Sequence, residues 1–293
     1  MADWLREFPE VIHLDIGTPI DQVVLYLSNN YKFVFDFIKD ALLSFTLSIH
    51  FVVEAFPWWA LIALVGLWGW KSSGRASRGL TFSAMLILVG LMGMWQLMVE
   101  TISLVLASVI ISLYIGLPIG VLVSGSSRVN SFMRPVLDAM QTMPTFVYLI
   151  PAVMFFGLGQ VPAVIATTIY AVPPVIRLTS HAIQQVDQEV VEAATSFGST
   201  WAQTLFKVQI PQALPTIMTG VNQTIMMAVA MVVTCSMIGA RGLGMEVLIG
   251  INRLEIGRGF TAGVAIVIVA VLLDRITQSW SGGHPSERRE NHG

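Results

Sequence analysis

The stretch QEVVEAATSFGSTWAQTLFKVQIPQALP (Gln188–Pro215) is a polar island in an otherwise apolar chain, and its pattern is helical. Val190, Ala194, Phe197, Trp201, Leu205 and Val208 recur at steps of four, three, four, four and three, which lays one stripe along a helix surface. That stripe is expected to stay against the rest of the molecule. Gly198 interrupts the pattern and suits a left-handed helix C-cap. Thr200 with Gln203 fits a capping box that restarts a second helix, and Pro211 and Pro215 are expected to close the unit. The pattern predicts two short amphipathic helices joined by a glycine bend. Two readings follow: an interfacial linker, or a docking knob with its bend inserted into a partner.

The surroundings make this a membrane protein. Hydrophobic residues are 55% of the 293 and charged residues 12%, where soluble domains carry about 25% charged residues. Mean hydropathy is +0.73. A net charge of −2 gives no reason to expect nucleic acid. The single cysteine, Cys235, has no internal disulfide partner and reads as helix packing. The opening MADWLREFPEVIHLDIG lacks a basic region followed by an apolar core, so insertion is expected to rest on internal helices.

A spanning helix needs roughly 20 apolar residues. Seven segments approach that: 57–71, 80–98, 101–123, 139–157, 161–179, 214–239 and 259–276. Trp58, Trp59, Trp68 and Trp70 bracket the first as interfacial aromatics would. Residues 34–56 carry Asp36, Lys39, Asp40, His50 and Glu54 and read as an amphipathic interfacial helix, the alternative being an extra span. With the N-terminus outside, the inner pieces hold Lys71, Arg75, Arg78, Arg128, Arg134, Arg177, Lys207, Arg275, Arg288 and Arg289, ten of sixteen basic residues. The outer pieces hold Arg6, Lys32, Lys39, Arg241, Arg253 and Arg258, so 240–258 fits least well. Glu192 and its neighbours fall on the inner side and the C-terminus is cytoplasmic.

Polar and helix-breaking residues inside spans tend to face a cavity or another helix. Gln141, Thr142, Pro144, Thr145 and Tyr148 mark one span. Thr168, Tyr170, Pro173 and Pro174 mark the next, and Asn222, Gln223, Thr224 and Thr234 the sixth. As a set they are the candidate translocation path, with helix contact the alternative for each one. Gly239, Gly242 and Gly244 predict a tight outer turn or re-entrant piece, with Arg241 and Glu246 available to a docked protein. Enzyme chemistry lacks parts: no GxxxxGK[ST], no HExxH, no Cys/His cluster and no GxSxG elbow.

Glu192-Ala193-Ala194, Gly198 after three intervening residues, and Val208-Gln209-Ile210-Pro211 after nine more resemble the EAA loop of ABC-importer permeases. Val208 and Ile210 stand where Ile and Leu are commonest. Residues 137–179 and 231–277 are similar to the core of the quaternary-amine permeases, importers of glycine betaine, proline betaine and choline. The resemblance covers roughly 90–277. It implies an all-α polytopic protein with a type I ABC importer transmembrane domain, about seven spans and an N-terminal interfacial helix. It further implies a non-catalytic subunit that pairs with a second copy of itself, two cytoplasmic ATP-binding subunits and an external substrate-binding protein. The cycle implied is alternating access driven by ATP, with no cofactor on this chain, since ATP–Mg belongs to the ATPase. By the same resemblance Glu192, Ala193, Ala194, Gly198 and Ser199 form the coupling bend, and Val208, Ile210 and Pro211 fix its second arm. The high-affinity aromatic cage of such systems belongs to the binding protein.

These readings divide the chain into an external tail with interfacial helix (1–56), accessory spans (57–98), a core permease domain (99–277) containing the coupling loop (186–215), and a cytoplasmic tail (278–293). The expected place is the bacterial inner membrane. Alternative substrates are trimethylamine N-oxide, carnitine, histidine or another amino acid. A self-sufficient secondary transporter or channel is the alternative from another class; it would show intramembrane carboxylates or inverted repeats.

Overall fold

The computed structural model describes Asp15 and residues 17–280, and the described part is helical throughout, without strands. The tail predicted at 278–293 therefore lies mostly outside the described residues, as does most of the tail before Gly17. The helices are α1 (Gly17–Asn30), α2 (Lys32–Glu54), α3 (Trp58–Ser73), α4 (Ala76–Leu91), α5 (Trp95–Ser124), α6 (Ser127–Thr142), α7 (Thr145–Phe156), α8 (Gln160–Gln184), α9 (Gln188–Ser196), α10 (Trp201–Thr204), α11 (Ile210–Ser236), α12 (Leu243–Asn252) and α13 (Ile256–Trp280). A π-helical turn, Leu205–Gln209, joins α10 to α11.

The span count differs from seven. Four straight stretches are long and apolar enough to cross a bilayer: Trp95–Ser124, Gln160–Gln184, Trp201–Ser236 and Ile256–Ser279. Two bent pairs, α2 with α3 at 85° and α6 with α7 at 93°, raise the number to at most six if each is one span, and α4 is a shorter apolar helix beside them. The segment 80–98 is not one span. It divides at Met92-Gly93-Met94, where Gly93 has φ +72°, and the Gly93 and Met94 amides turn back to the Gly90 and Val89 carbonyls at 3.0 and 3.2 Å. The segment 139–157 is likewise cut at Met143-Pro144, because a proline holds the residue before it in extended backbone, here ψ 133°. At the α2–α3 elbow Pro57 is the N-cap of α3.

The heart of the bundle is α8, packed between α5 and α11 and buried over much of its length. The α5–α8 seam rests on small residues four apart on α5: Ser108, Ser112, Gly116 and Gly120. The two serines are fully buried and reach α8 carbonyls, Ser108 to Val164 at 3.5 Å and Ser112 to Thr168 at 3.3 Å. At Gly120 the helices are so close that an added Cβ would stand 2.7 Å from Thr179 Cβ and 3.0 Å from the Ile176 carbonyl oxygen. Small residues let backbones approach where no hydrophobic effect separates protein from lipid. Pro173 and Pro174 lie buried inside α8 without ending it.

Around this core, α3 packs on α4 and both meet α13, while α4 also meets the first turns of α5, in a cluster of Leu86, Val89, Met98, Leu243 of α12, Ala265 and Val269 flanked by Ile62 and Val65 of α3. The helix α2 crosses the end of the bundle where α7 finishes and α5 begins. Phe35 stacks on Phe155 at 4.6 Å, His50 Nδ1 lies 3.3 Å from the Ser103 hydroxyl, and Gln96 donates to Glu54 at 3.1 Å. At the same end Gly239 and Gly242, with φ +88° and +120°, make the turn expected there, and the Gly159 amide donates to the Ile238 carbonyl at 2.9 Å. The short helix α12 then folds back on α13. Two of the three arginines that fitted the charge pattern least have partners here: Arg258 reaches Glu246 at 2.5 Å and Glu255 at 3.3 Å, and Arg253 lies 4.0 Å from Glu255.

Candidate functional site

The polar island forms the expected helix pair. Asp187 caps α9 by accepting the Glu189 amide at 2.9 Å. Nine residues later α9 ends in a Schellman turn. The Gly198 amide donates to the Thr195 carbonyl at 2.9 Å and the Ser199 amide to the Ala194 carbonyl at 3.2 Å. Gly198 has φ +83° and nothing within 4 Å of an added Cβ, so within this chain it is backbone conformation, not lack of space, that favours glycine. Both halves of the Thr200–Gln203 capping box are present: Gln203 Oε1 accepts from the Thr200 amide at 2.9 Å and Thr200 Oγ1 from the Gln203 amide at 3.4 Å.

Two details differ from the sequence reading. The prolines do not close the unit. Pro211 sits in the first turn of α11 and Pro215 inside it, so the chain runs as one helical stretch from Trp201 to Ser236. The π-turn widens the helix just before Pro211, with the Ile210 amide bonded to the Leu205 carbonyl, and so accommodates a ring that would otherwise crowd the preceding turn. Nor does the apolar stripe stay with the bundle as a whole. Leu205 is fully buried, but Phe197 is 91% and Trp201 64% exposed, and Val190 is exposed as well. The bend at Gly198 breaks the helical phase, so a stripe counted straight through it describes two different faces. The buried face is Val191, Leu205 and Ile210, packed on Ala182, Ile183, Val186, Ala213 and Ile217.

Of the residues read as the coupling bend, Glu192, Ala193 and Gly198 are exposed, and Ala194 and Ser199 half-buried. Glu192 has no ion-pair partner among the described residues. In the second arm Val208 and Ile210 are half-buried and Pro211 exposed. The unit is thus held from below by an apolar cluster and offers a rigid outer rim of Glu192, Phe197, Gly198 and Trp201.

The candidate path residues separate into groups. Tyr148 is buried at the α6–α7 bend, donates its hydroxyl to the Met140 carbonyl, and meets Tyr170 edge-on at 6.1 Å. Gln141, Thr142 and Pro144 lie exposed at that bend. Thr168 and Pro173 are buried, and Thr168 donates to the Ser108 carbonyl at 3.4 Å, inside the α5–α8 seam. On α11, Asn222 donates to Asp274 of α13 at 2.8 Å while Gln223 beside it is exposed and Thr234 half-buried. Cys235 is buried with its sulfur 3.2 Å from the Thr167 hydroxyl, which is the packing role expected of it. Glu246 is held by Arg258 and is mostly covered.

The sequence reading did not pair Asp138 with Arg177, an ion pair joining α6 to α8. It borders a polar cavity of about 380 Å³ that also holds Arg134 and His181. Their spacing across two helices left no local signal. The Asn222–Asp274 pair was equally hidden, since its members lie 52 residues apart.

Residues 112–280 match the model of a family described as binding-protein-dependent transport system inner membrane component. Among curated proteins, the chain is 44% identical to the glycine betaine/carnitine transport permease protein GbuB of Listeria monocytogenes serotype 1/2a (strain 10403S), over 95% of this chain and 100% of that one. It is 41% identical to the glycine betaine/proline betaine transport system permease protein ProW of Escherichia coli (strain K12), over 99% and 85%. Among solved structures, a chain of the MetNI methionine ABC transporter in an inward-facing conformation aligns with a TM-score of 0.56 at 23% identity, covering 62% of this chain and 91% of that one. The architecture is therefore that of an ABC importer transmembrane domain. The chain belongs to the family of binding-protein-dependent transport system inner membrane components.

Proposed function

We propose that this chain is the membrane-spanning permease of an ATP-driven importer for glycine betaine and related quaternary amines. The observation that carries the reading is full-length identity above 40% to permeases named for glycine betaine, in two different organisms. The chain is the non-catalytic subunit. It works as a homodimer with two ATP-binding subunits and an external binding protein, and ATP–Mg is bound on the ATPase.

In this reading the rim at Glu192–Ser199 seats in the ATPase, and Val208, Ile210 and Pro211 root the second arm in the bundle. Support comes from the Schellman turn and the capping box, which make the unit stiff enough to transmit displacement. The loop lies inside, with the N-terminus outside and the C-terminus cytoplasmic, an orientation that needs an odd number of crossings and so takes the shorter apolar helix α4 as a span beside the six. Gln141, Thr142, Pro144, Tyr148, Tyr170 and Gln223 are the better path candidates, because they lie at or beside the α6–α7 bend or on the exposed side of α11. Thr168, Pro173 and Asn222 serve mainly as helix contacts, and Thr234 stands between the two groups.

Reconstitution tests it. Vesicles with this chain, its ATPase and its binding protein should accumulate labelled glycine betaine only with ATP inside. Uptake that persists without any ATPase would sink the proposal. With Cys235 replaced by alanine, a cysteine at Phe197 should be labelled from the ATPase side alone.

A further inference from the structure

The elbow between α2 and α3 borders a half-open cavity of about 740 Å³ that the transport reading does not use. Its size falls in the range of about 300–1,000 Å³ found for small-molecule and cofactor pockets. The last turn of α2, the start of α3, the end of α4 and the start of α5 form its walls, with Phe56, Trp58, Leu61, Ile87, Leu91 and Trp95 as the main apolar lining. The polar side chains in it are Glu54 and Gln96, and Glu54 is its one charged group among the described residues.

Three observations select an occupant. A dry apolar cavity of this size forfeits dispersion contacts along its whole wall, and water finds too few polar partners there to replace them. The outer faces of the same helices expose Leu64, Leu67, Leu80 and Leu88, so the neighbouring medium is hydrocarbon and the available filler is an acyl chain. The carboxylate then fixes the headgroup. Glu54 accepts from Gln96 at 3.1 Å and lies 3.3 Å from His50, yet stays 54% exposed at the cavity mouth. A carboxylate beside hydrocarbon favours a cationic partner, and the lining includes Trp58, Trp95 and Phe56, residue types that attract an ammonium. A headgroup bearing phosphate alone would set like charges together.

We infer that the elbow binds a phospholipid whose headgroup ends in an ammonium, with the ammonium on Glu54 and an acyl chain in the cavity. The site needs only a membrane protein around it and does not depend on the substrate proposed above. It places a lipid at the joint through which the N-terminal helices meet α5.

The purified full-length chain in detergent should be titrated with phosphatidylethanolamine and with phosphatidylglycerol of the same chains, bound lipid being counted by native mass spectrometry. Phosphatidylethanolamine should bind stoichiometrically and phosphatidylglycerol much more weakly. Glu54→Gln should weaken the first about tenfold, as loss of a charged hydrogen bond does, and leave the second unchanged. Gly90→Leu should block both lipids by filling the cavity. A Cβ at Gly90 meets only Trp95 Cε3, at 3.7 Å, so this variant can fold normally. Equal binding of the two lipids, or wild-type binding by both variants, would overturn the inference. So would displacement of the lipid by free choline, which would make the elbow a site for a soluble cation.

Discussion

The hydroxyls of Ser199 and Thr204 lie 2.6 Å apart, and Ser199 also reaches the Ala194 carbonyl at 2.7 Å. One serine therefore ties the end of α9 to the last residue of α10 across the Gly198 bend. Thr204→Val keeps the shape and removes the bond. It should cost about 1 kcal/mol in thermal melts, while ATP-coupled uptake falls further than stability does. Equal losses in both would mean the bond serves folding only.

At Gly198 the strain is purely one of backbone. Gly198→Val should be disfavoured by about 1–2 kcal/mol locally and should abolish co-purification of the ATPase while the chain still enters the membrane. Asparagine tolerates the left-handed region better, so Gly198→Asn should retain part of the complex. If asparagine fails as completely as valine, contact with the partner, not φ, selects glycine.

The α5–α8 seam should be the most sensitive to added volume. Gly120→Leu forces atoms against Thr179 and the Ile176 carbonyl, and overpacking of this kind costs about 1–3 kcal/mol. Ser108→Ala removes one hydrogen bond across the seam, worth about 0.6 kcal/mol between membrane helices. Melting of both variants in detergent should rank them in that order.

Asp274 supports Asn222, whose amide oxygen is buried without a partner. Asp274→Ala leaves the amide nitrogen without its carboxylate too. A cost of about 1–3 kcal/mol follows for the unsatisfied group, whereas Asp274→Asn, which keeps an acceptor, should cost less. A melting temperature unchanged by Asp274→Ala would show that the group finds water.

What could be read in the sequence divides along a chemical line. The turn at Gly198 and the turn at Gly93 are the same motif, with the same pair of backbone hydrogen bonds. The first was visible because threonine, glutamine and acidic residues surround it, each with a local backbone preference. The second sits in LVGLMGMWQLM, where hydropathy stays high through the turn, so one span was read across two helices. The Pro144 bend was hidden for the same reason, its proline being taken as a feature inside a span. The small-residue stripe Ser108, Ser112, Gly116, Gly120 was there to be counted, but hydropathy averages discard spacing. Ion pairs such as Arg177 with Asp138 join distant segments and exist only once the bundle is assembled.

The helical stretch from Trp201 to Ser236 is 36 residues, or about 54 Å at 1.5 Å per residue. One end of this stretch stands beside Gly198 and the other runs into the turn bonded to Gly159. The helix α8 lies along it from Ala213 and Ile217, beside Ile183, to Cys235, beside Thr167. The proposed coupling would therefore have to carry the bend and α8 together, and the Ile238–Gly159 bond at the far tip, some fifty ångströms away, marks the reach of that body.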